Sequence, residues 1–145
     1  MRLEIDLREY STTTTPQYIE EVDALTLNFQ ELSNEIDTFN KEIKWSEMWT
    51  LEDARDRLFN SWRLVVFRPG DKIKGWYWLD NTKEPRNIYV NKHYRGLGIA
   101  RDMQFKLLNI CKDLKMDRVE CSIDDWNLKS VKSFKSTRWS EVSYK

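Results

Sequence analysis

A mixed α+β fold follows from three features of this 145-residue chain. Residues 2–9 alternate apolar with charged side chains, the period of a strand with one covered face. Three β-rich runs follow one another between Trp62 and Val90, separated only by short turns. Before and after them lie stretches with apolar residues at three- and four-residue spacing. That succession predicts an antiparallel meander flanked by helices within a single domain covering residues 1–145, and not a doubly wound parallel sheet.

Leu3, Ile5 and Leu7 supply the buried face of the first strand. The polar stretch from Ser11 to Thr15 follows, where Thr14 or Thr15 can cap a helix and Pro16 can occupy its first position. Tyr18, Val22, Leu25, Phe29, Leu32, Ile36 and Phe39 then recur at intervals of four and three, which predicts one continuous helical stripe with room for a break near Ser33–Asn34. A second helix is predicted over 50–60, with Thr50 as cap and Glu52 and Asp53 beside the positive end of its dipole.

Strands are expected over 62–68, 72–80 and 86–90, joined by turns rich in Pro, Gly, Asn and Asp. Ile99, Met103, Leu107, Ile110, Cys111 and Leu114 have helical spacing, and Val119, Cys121 and Ile123 alternate as a fifth strand. A short helix over 127–135 and a strand-like "RWSEVSY" close the chain, giving about six strands.

Composition narrows the function classes. The N-terminal residues lack the apolar core of a signal peptide, and no 18-residue apolar run occurs anywhere, so a cytoplasmic protein without a membrane partner is expected. Two cysteines, Cys111 and Cys121, and one histidine, His93, fit neither a disulfide framework nor a metal site, and no metal is expected. Lysine plus arginine balance aspartate plus glutamate at 24 each, but unevenly: residues 1–84 carry 11 basic and 17 acidic side chains, residues 85–145 carry 13 and 7. With no long basic run, that asymmetry suits a small polyanionic ligand better than a nucleic acid.

The basic part contains "IYVNKHYRGLGIARDM", residues 88–103, with two of the four glycines. A strand that ends, a loop with Gly96 and Gly98, and a helix that begins there leave unpaired N–H groups converging at the positive end of a helix dipole, a setting for phosphate. Glycine lets the main chain approach an anion and adopt positive φ. Neither a Walker loop nor a GxGxxG dinucleotide fingerprint is present.

The segment resembles motif A of the GCN5-related N-acetyltransferase (GNAT) superfamily, whose signature [RQ]-x-x-G-x-[GA] is met by Arg95, Gly98 and Ala100. Asn127, Ser130, Phe134 and Trp139 are similar in spacing to the family's later segment. The resemblance spans nearly the whole chain and implies a GNAT fold with a shortened C-terminal hairpin. It also implies acetyl-CoA as co-substrate, with N-acetyl transfer by direct attack of a primary amine on a small molecule, peptide or protein.

In that reading Ile88 and Val90 offer backbone groups to the pantetheine arm where the fourth and fifth strands splay apart, and Val90 N–H is the oxyanion donor. The main-chain N–H groups of Arg95, Gly96, Leu97, Gly98, Ile99 and Ala100 hold the pyrophosphate, with Arg101 adding charge. Asn127 bonds the pantetheine arm and Phe134 packs against it.

Three departures accompany the resemblance. Phe134 stands where many relatives have a tyrosine that protonates the leaving thiolate, which leaves Ser133, Tyr144 or water as proton source. Arg138 replaces a usual glycine, suggesting an altered turn. Only Lys145 follows "EVSY" where relatives finish with a hairpin, so the last strand is expected to pair with the fifth directly or be completed by another subunit, a homodimer contact. Glu84 is the candidate general base, with Asp80 and Glu120 as rivals. Trp45, Met48, Trp49, Trp76 and Trp78 are expected either to wall the acceptor or to form core. The competing reading is a noncatalytic GNAT-fold module that binds CoA or a protein.

Overall fold

The computed structural model describes residues 1–23, 25–43, 49–123 and 128–142, with only the backbone of Ile43 and Leu128. Its elements run β1 (Arg2–Asp6), β2 (Ile19–Glu21), α1 (Phe29–Ile43), α2 (Leu51–Phe59), β3 (Arg63–Phe67), β4 (Gly75–Leu79), β5 (Pro85–Val90), a 3-10 turn (Lys92–Tyr94), α3 (Ile99–Asp113), β6 (Arg118–Ser122), α4 (Leu128–Ser136) and β7 (Ser140–Glu141). They fall into two compact units, Pro16–Ile99 and Met1–Thr15 with Ala100–Lys145.

In the Pro16–Ile99 unit the sheet order is β2-β3-β4-β5, every pair antiparallel. All five residues of β4 are buried, and Trp76 and Trp78 join Trp49, Phe39 and Tyr89 in one aromatic core with Leu32, Ile36 and Leu64. Trp49 meets Trp76 and Trp78 edge-on at 5.2 and 5.5 Å between ring centroids. These three tryptophans are therefore core, and Trp45 and Met48 lie outside the described residues. Helix α2 begins as its sequence predicts, with a capping box in which the Thr50 side chain accepts from Asp53 N–H and the Asp53 side chain accepts from Thr50 N–H.

The predicted continuous helix over Tyr18–Phe39 is corrected: Ile19–Glu21 is a strand paired with β3, and the helix starts only at Phe29. Asn28 caps it, its side chain accepting from Gln30 N–H at 3.0 Å. Tyr18 and Val22, four residues apart, share a face in either period, so spacing could not separate strand from helix. Nor do Thr14 and Thr15 cap a helix. Asn109 instead holds the preceding segment, donating to Thr13 O and accepting from Thr13 N–H and the Tyr10 hydroxyl.

In the other unit the sheet order is β6-β1-β7, again antiparallel. The expectation for the chain's end is corrected here. The last strand, β7, pairs not with the fifth predicted strand but with β1, opposing Leu3 to Glu141 and Glu4 to Ser140. The N-terminal strand thus takes the middle position of this sheet.

Helices α2, α3 and α4 end alike. Ser61 (φ 67°), Lys115 (φ 63°) and Arg138 (φ 75°) are left-handed, and the next residue's N–H reaches back five positions, from Trp62 to Arg57 O, Met116 to Cys111 O and Trp139 to Phe134 O. This is the Schellman arrangement, normally closed by glycine. Arg138 therefore keeps the turn a glycine would make instead of altering it. The Phe134–Trp139 spacing has the same origin: their rings, 5.0 Å apart and edge-on, are the apolar contact that accompanies such a cap. Arg138→Gly should relieve left-handed strain and raise stability by about 0.5–1 kcal/mol, read as a higher thermal midpoint.

Gly75 is required for a different reason. A Cβ there would lie 2.7 Å from Tyr89 O on the neighbouring strand. Gly75→Ala should cost about 1–3 kcal/mol in chemical denaturation, because backbone and not a flexible side chain must move.

Candidate functional site

Strand β5 carries a bulge. Trp78 opposes Arg86 and Trp76 opposes Tyr89, so Asn87 and Ile88 together face Tyr77. Asn87 takes φ 54°, a left-handed conformation that asparagine tolerates. Beyond the bulge, Asn91 N–H donates to Lys74 O at 2.8 Å, which makes Gly75 and Val90 a non-hydrogen-bonded pair. The Val90 N–H and C=O consequently point away from β4, along the edge of the terminal strand of this sheet. Val90 O accepts from Arg95 Nε at 2.7 Å, and its N–H has no partner in the ladder. Ile88, also on this edge, is 38% exposed.

Asn91 is the hub of the loop. Its Nδ2 donates to buried Glu35 Oε2 at 3.0 Å, its Oδ1 accepts from His93 N–H at 3.0 Å, and its carbonyl accepts from Tyr94 N–H at 2.9 Å. Lys74 Nζ takes the other Glu35 oxygen at 2.8 Å. Helix α1, the β3–β4 connection and the loop are thereby tied to one point. Composition and motif matching missed both Asn91 and Glu35. The available signal was an asparagine directly after a β-rich run, while Glu35 beside Leu32 and Ile36 reads as a surface carboxylate.

Arg95 N–H reaches Lys92 O at 3.4 Å, and no later N–H up to Ile99 has a backbone acceptor among the described residues outside the helix. Gly96 and Gly98 both have φ 80°, with nothing within 4 Å of where a Cβ would stand. Leu97 is 69% exposed. Helix α3 starts at Ile99, and Ala100 and exposed Arg101 are in its first turn. The Arg101 guanidinium lies 5.5 Å from the Phe105 ring. The Arg95 side chain is not a free charge: it pairs with Glu42 at 2.7 Å and braces Val90 O, which makes it an anchor for the loop.

The carboxylates differ in setting. Asp80 is buried, which pushes its carboxyl up, but hydrogen bonds from Thr82, from Glu84 N–H and from Arg86 outweigh burial and hold it below the ordinary value. It is an ionised organiser of the β4–β5 turn. Stability from this group is complete above the unfolded carboxylate pKa and disappears as pH falls through the lower folded value. Wild type should therefore lose more stability than Asp80→Asn on acidification below about pH 4, measured by urea denaturation.

Glu84 is 9% exposed, its carbonyl accepting from Asp80 N–H at 3.2 Å and its carboxylate 3.9 Å from Arg86. Glu120 is lowered chiefly by its hydrogen bond from Arg2, with Arg118 nearby, and so belongs to the β1–β6 ladder. Burial, with Glu42 and Glu35 adding to it, pushes the Tyr89 phenol up to about 12, which keeps it protonated inside the aromatic core.

Phe134 is 3% exposed and packed on Trp139, so its ring is core as described here. The Ser133 hydroxyl accepts from Gln104 Nε2 at 3.0 Å, and the Gln104 carbonyl in turn accepts from Thr137. Asn127 and Tyr144 lie outside the described residues. Among the described residues no group of three His, Cys, Asp or Glu could hold a metal ion, and no helix is long and apolar enough to cross a membrane.

Comparison with known proteins bears on these features together. The sequence family described as "Acetyltransferase (GNAT) family" matches residues 29–137. An acetyltransferase of the GNAT family from Staphylococcus aureus Mu50 is 18% identical, with TM-score 0.65 over 86% of each chain. A ribosomal-protein-alanine N-acetyltransferase from Brucella melitensis is 17% identical, with TM-score 0.68 over 86% of this chain and 85% of that one. An aminoglycoside acetyltransferase from an uncultured soil metagenomic sample is 14% identical, with TM-score 0.66 over 88% and 92%. At these identities the likeness is one of fold. No curated protein matches the sequence.

Proposed function

Because the chain belongs to the acetyltransferase (GNAT) family, we propose that it moves an acetyl group from acetyl-CoA directly to a primary amine of a small molecule, peptide or protein. The observation that carries this reading is the end of β5, where a Val90 N–H unused by the ladder is followed by a loop of amides without backbone acceptors that opens into α3.

Val90 N–H donates to the thioester oxygen as negative charge develops on it, the step at which a fixed donor lowers the barrier most. The N–H groups of Gly96, Leu97, Gly98, Ile99 and Ala100, reinforced by Arg101, receive the pyrophosphate at the helix N-terminus. Arg95 contributes by fixing where that row begins. Ile88 meets the pantetheine arm on the same edge, and Asn127 remains the assigned partner for that arm by resemblance. Phe134, packed on Trp139, contributes through the core of its own unit.

The attacking amine must be neutral. Asp80, held ionised by its turn, is a poor shuttle, and Glu84 is the carboxylate that can take the proton as the amine adds. The departing thiolate takes a proton from Ser133, Tyr144 or water.

Calorimetric titration with acetyl-CoA and with CoA tests the donor half of the proposal; no binding of either sinks it. Gly98→Val is the matching variant. Since no protein atom approaches that Cβ position, its structural cost is the left-handed strain alone, about 1–2 kcal/mol, whereas a side chain facing phosphate should abolish binding. Thiol release with amine acceptors then tests transfer. Tight CoA binding without thiol release from any amine would favour the noncatalytic module, the reading to which the missing hydroxyl at Phe134 points.

A further inference from the structure

Next to the β5 bulge sits a cation with no carboxylate partner among the described residues. The Arg57 guanidinium, from the last turn of α2, lies 4.9 Å from the Trp62 ring, 5.3 Å from Trp78 and 5.7 Å from Trp49. Its Nη1 donates to Asn87 Oδ1 at 3.0 Å. Among the described residues it makes no ion pair and no other hydrogen bond, although residues 1–84 hold 17 acidic side chains. Asp53, one turn earlier on α2, acts on it only at a distance and is engaged in capping α2 through Thr50 N–H at 2.8 Å. Four other arginines of the same unit are paired, Arg63 with Glu21, Arg68 with Glu31, Arg86 with Asp80 and Arg95 with Glu42, while Arg55, over the Phe29 ring, is exposed where Arg57 is half-buried.

Half-buried guanidinium groups ordinarily find a carboxylate. Burial holds Arg57 below the ordinary guanidinium pKa. One of its N–H donors, on Nη1, is used by Asn87, and a planar guanidinium with further donors is the group that takes a carboxylate bidentately. Its placement relates it to the reaction. Asn87 precedes Val90 by three residues on the same strand, about 10 Å at the rise of an extended chain.

We propose that Arg57 is an acceptor-recognition residue: it binds a carboxylate of the amine substrate. The substrate is then a primary amine whose nitrogen lies several bonds from its carboxylate, in the manner of an ω-amino acid or the side-chain amine of a lysine whose carboxylate is free. An α-amine beside its own carboxylate is too short to span from Val90 to Arg57. This inference rests on the acetyl-transfer reading and specifies its acceptor.

The test compares amines matched in length but differing in the carboxylate: 6-aminohexanoate against hexylamine, and lysine against cadaverine. Thiol release is followed at saturating acetyl-CoA, and acetyl-CoA affinity is measured separately by calorimetry. Wild type should prefer the carboxylated member of each pair at least tenfold in kcat/KM, mainly through KM. Arg57→Lys should reduce that preference, and Arg57→Gln should remove it, both with unchanged acetyl-CoA affinity. A lysine-containing tripeptide ending in an amide separates free amino acid from peptide: rejection by wild type assigns the carboxylate to a free acid, acceptance at full rate overturns the proposal.

Equal rates for both members of each pair in wild type also overturn it, as does a loss in Arg57→Gln that falls equally on both members, which would make the residue a brace for Asn87. A direct readout independent of turnover is quenching of tryptophan fluorescence, since three indoles surround the guanidinium. With acetyl-CoA bound, 6-aminohexanoate should change the signal at concentrations where hexylamine does not, and identical titrations would count against the site. Loss of acetyl-CoA binding in wild type would instead refute the broader function, a result distinguishable from every outcome above.

Discussion

Ile5→Pro is expected to abolish the cooperative fold of the β6-β1-β7 sheet. The Leu7 N–H to Asp117 O bond of 2.8 Å places Ile5 opposite Val119 in a hydrogen-bonded pair, so proline removes a ladder donor from the middle strand. Because β1 alone joins β6 to β7, both neighbours lose their partner together. Leu3→Ala is the milder probe. Leu3 is fully buried, and its truncation should cost about 2–5 kcal/mol, a large part of a domain's total stability of about 5–15 kcal/mol. Hydrogen exchange should show amides of Val119 and Cys121 deprotected in both variants. If removal of residues 1–9 left those amides protected and the thermal midpoint unchanged, β1 would not be the strand that completes the sheet.

The second large effect is expected at Asn91. Asn91→Ala strips a charged hydrogen bond from Glu35, worth about 1.5–3 kcal/mol, and also removes the cap on His93 N–H, worth about 1 kcal/mol. A total loss of about 2–4 kcal/mol is expected in urea denaturation. Asn91→Asp keeps the acceptor for His93 but sets a second carboxylate against Glu35, so it should destabilise most at neutral pH and recover when acid protonates the pair. If the loop amides bind phosphate, both variants should weaken acetyl-CoA at least tenfold, because the hub fixes where the row of N–H groups begins. Unchanged affinity in a folded Asn91→Ala would detach the hub from binding.

Much of this architecture was legible in the residues. The meander over Arg63–Val90 was announced by β-rich runs separated by turn residues, and α3 by its apolar spacing. Thr50 and Asp53 encode their capping box locally, since the partners are three residues apart and no distant contact is needed. The loop with Gly96 and Gly98 was legible for the same reason: positive φ is a property of the residue itself.

What was not legible depended on partners far along the chain. Ile19–Glu21 became strand because β3 offers it a ladder over forty residues away, extended at either end by Arg68 N–H meeting Tyr18 O and Val22 N–H meeting Leu64 O. Arg138 was read as a lost glycine, yet the cap geometry of α4 overrides the residue's own preference. The Phe134–Trp139 pair was legible as spacing only; that the two rings close a helix end against each other required coordinates. Arg57 and Asn91 were invisible as site residues because what distinguishes them is the presence or absence of a partner 30 and 56 residues distant.

The sequence by itself thus determined the order of elements apart from β2 and the loop with Gly96 and Gly98, carried by local conformational preference and short-range spacing, while the family followed from motif resemblance. Tertiary structure alone decided that β1 inserts between β6 and β7, that Val90 N–H is left out of the ladder, and that Arg57 stands among indoles without a carboxylate among the described residues. Those outcomes belong to register and long-range pairing. A one-residue change in register redirects every N–H and side chain of a strand, and no local preference specifies it.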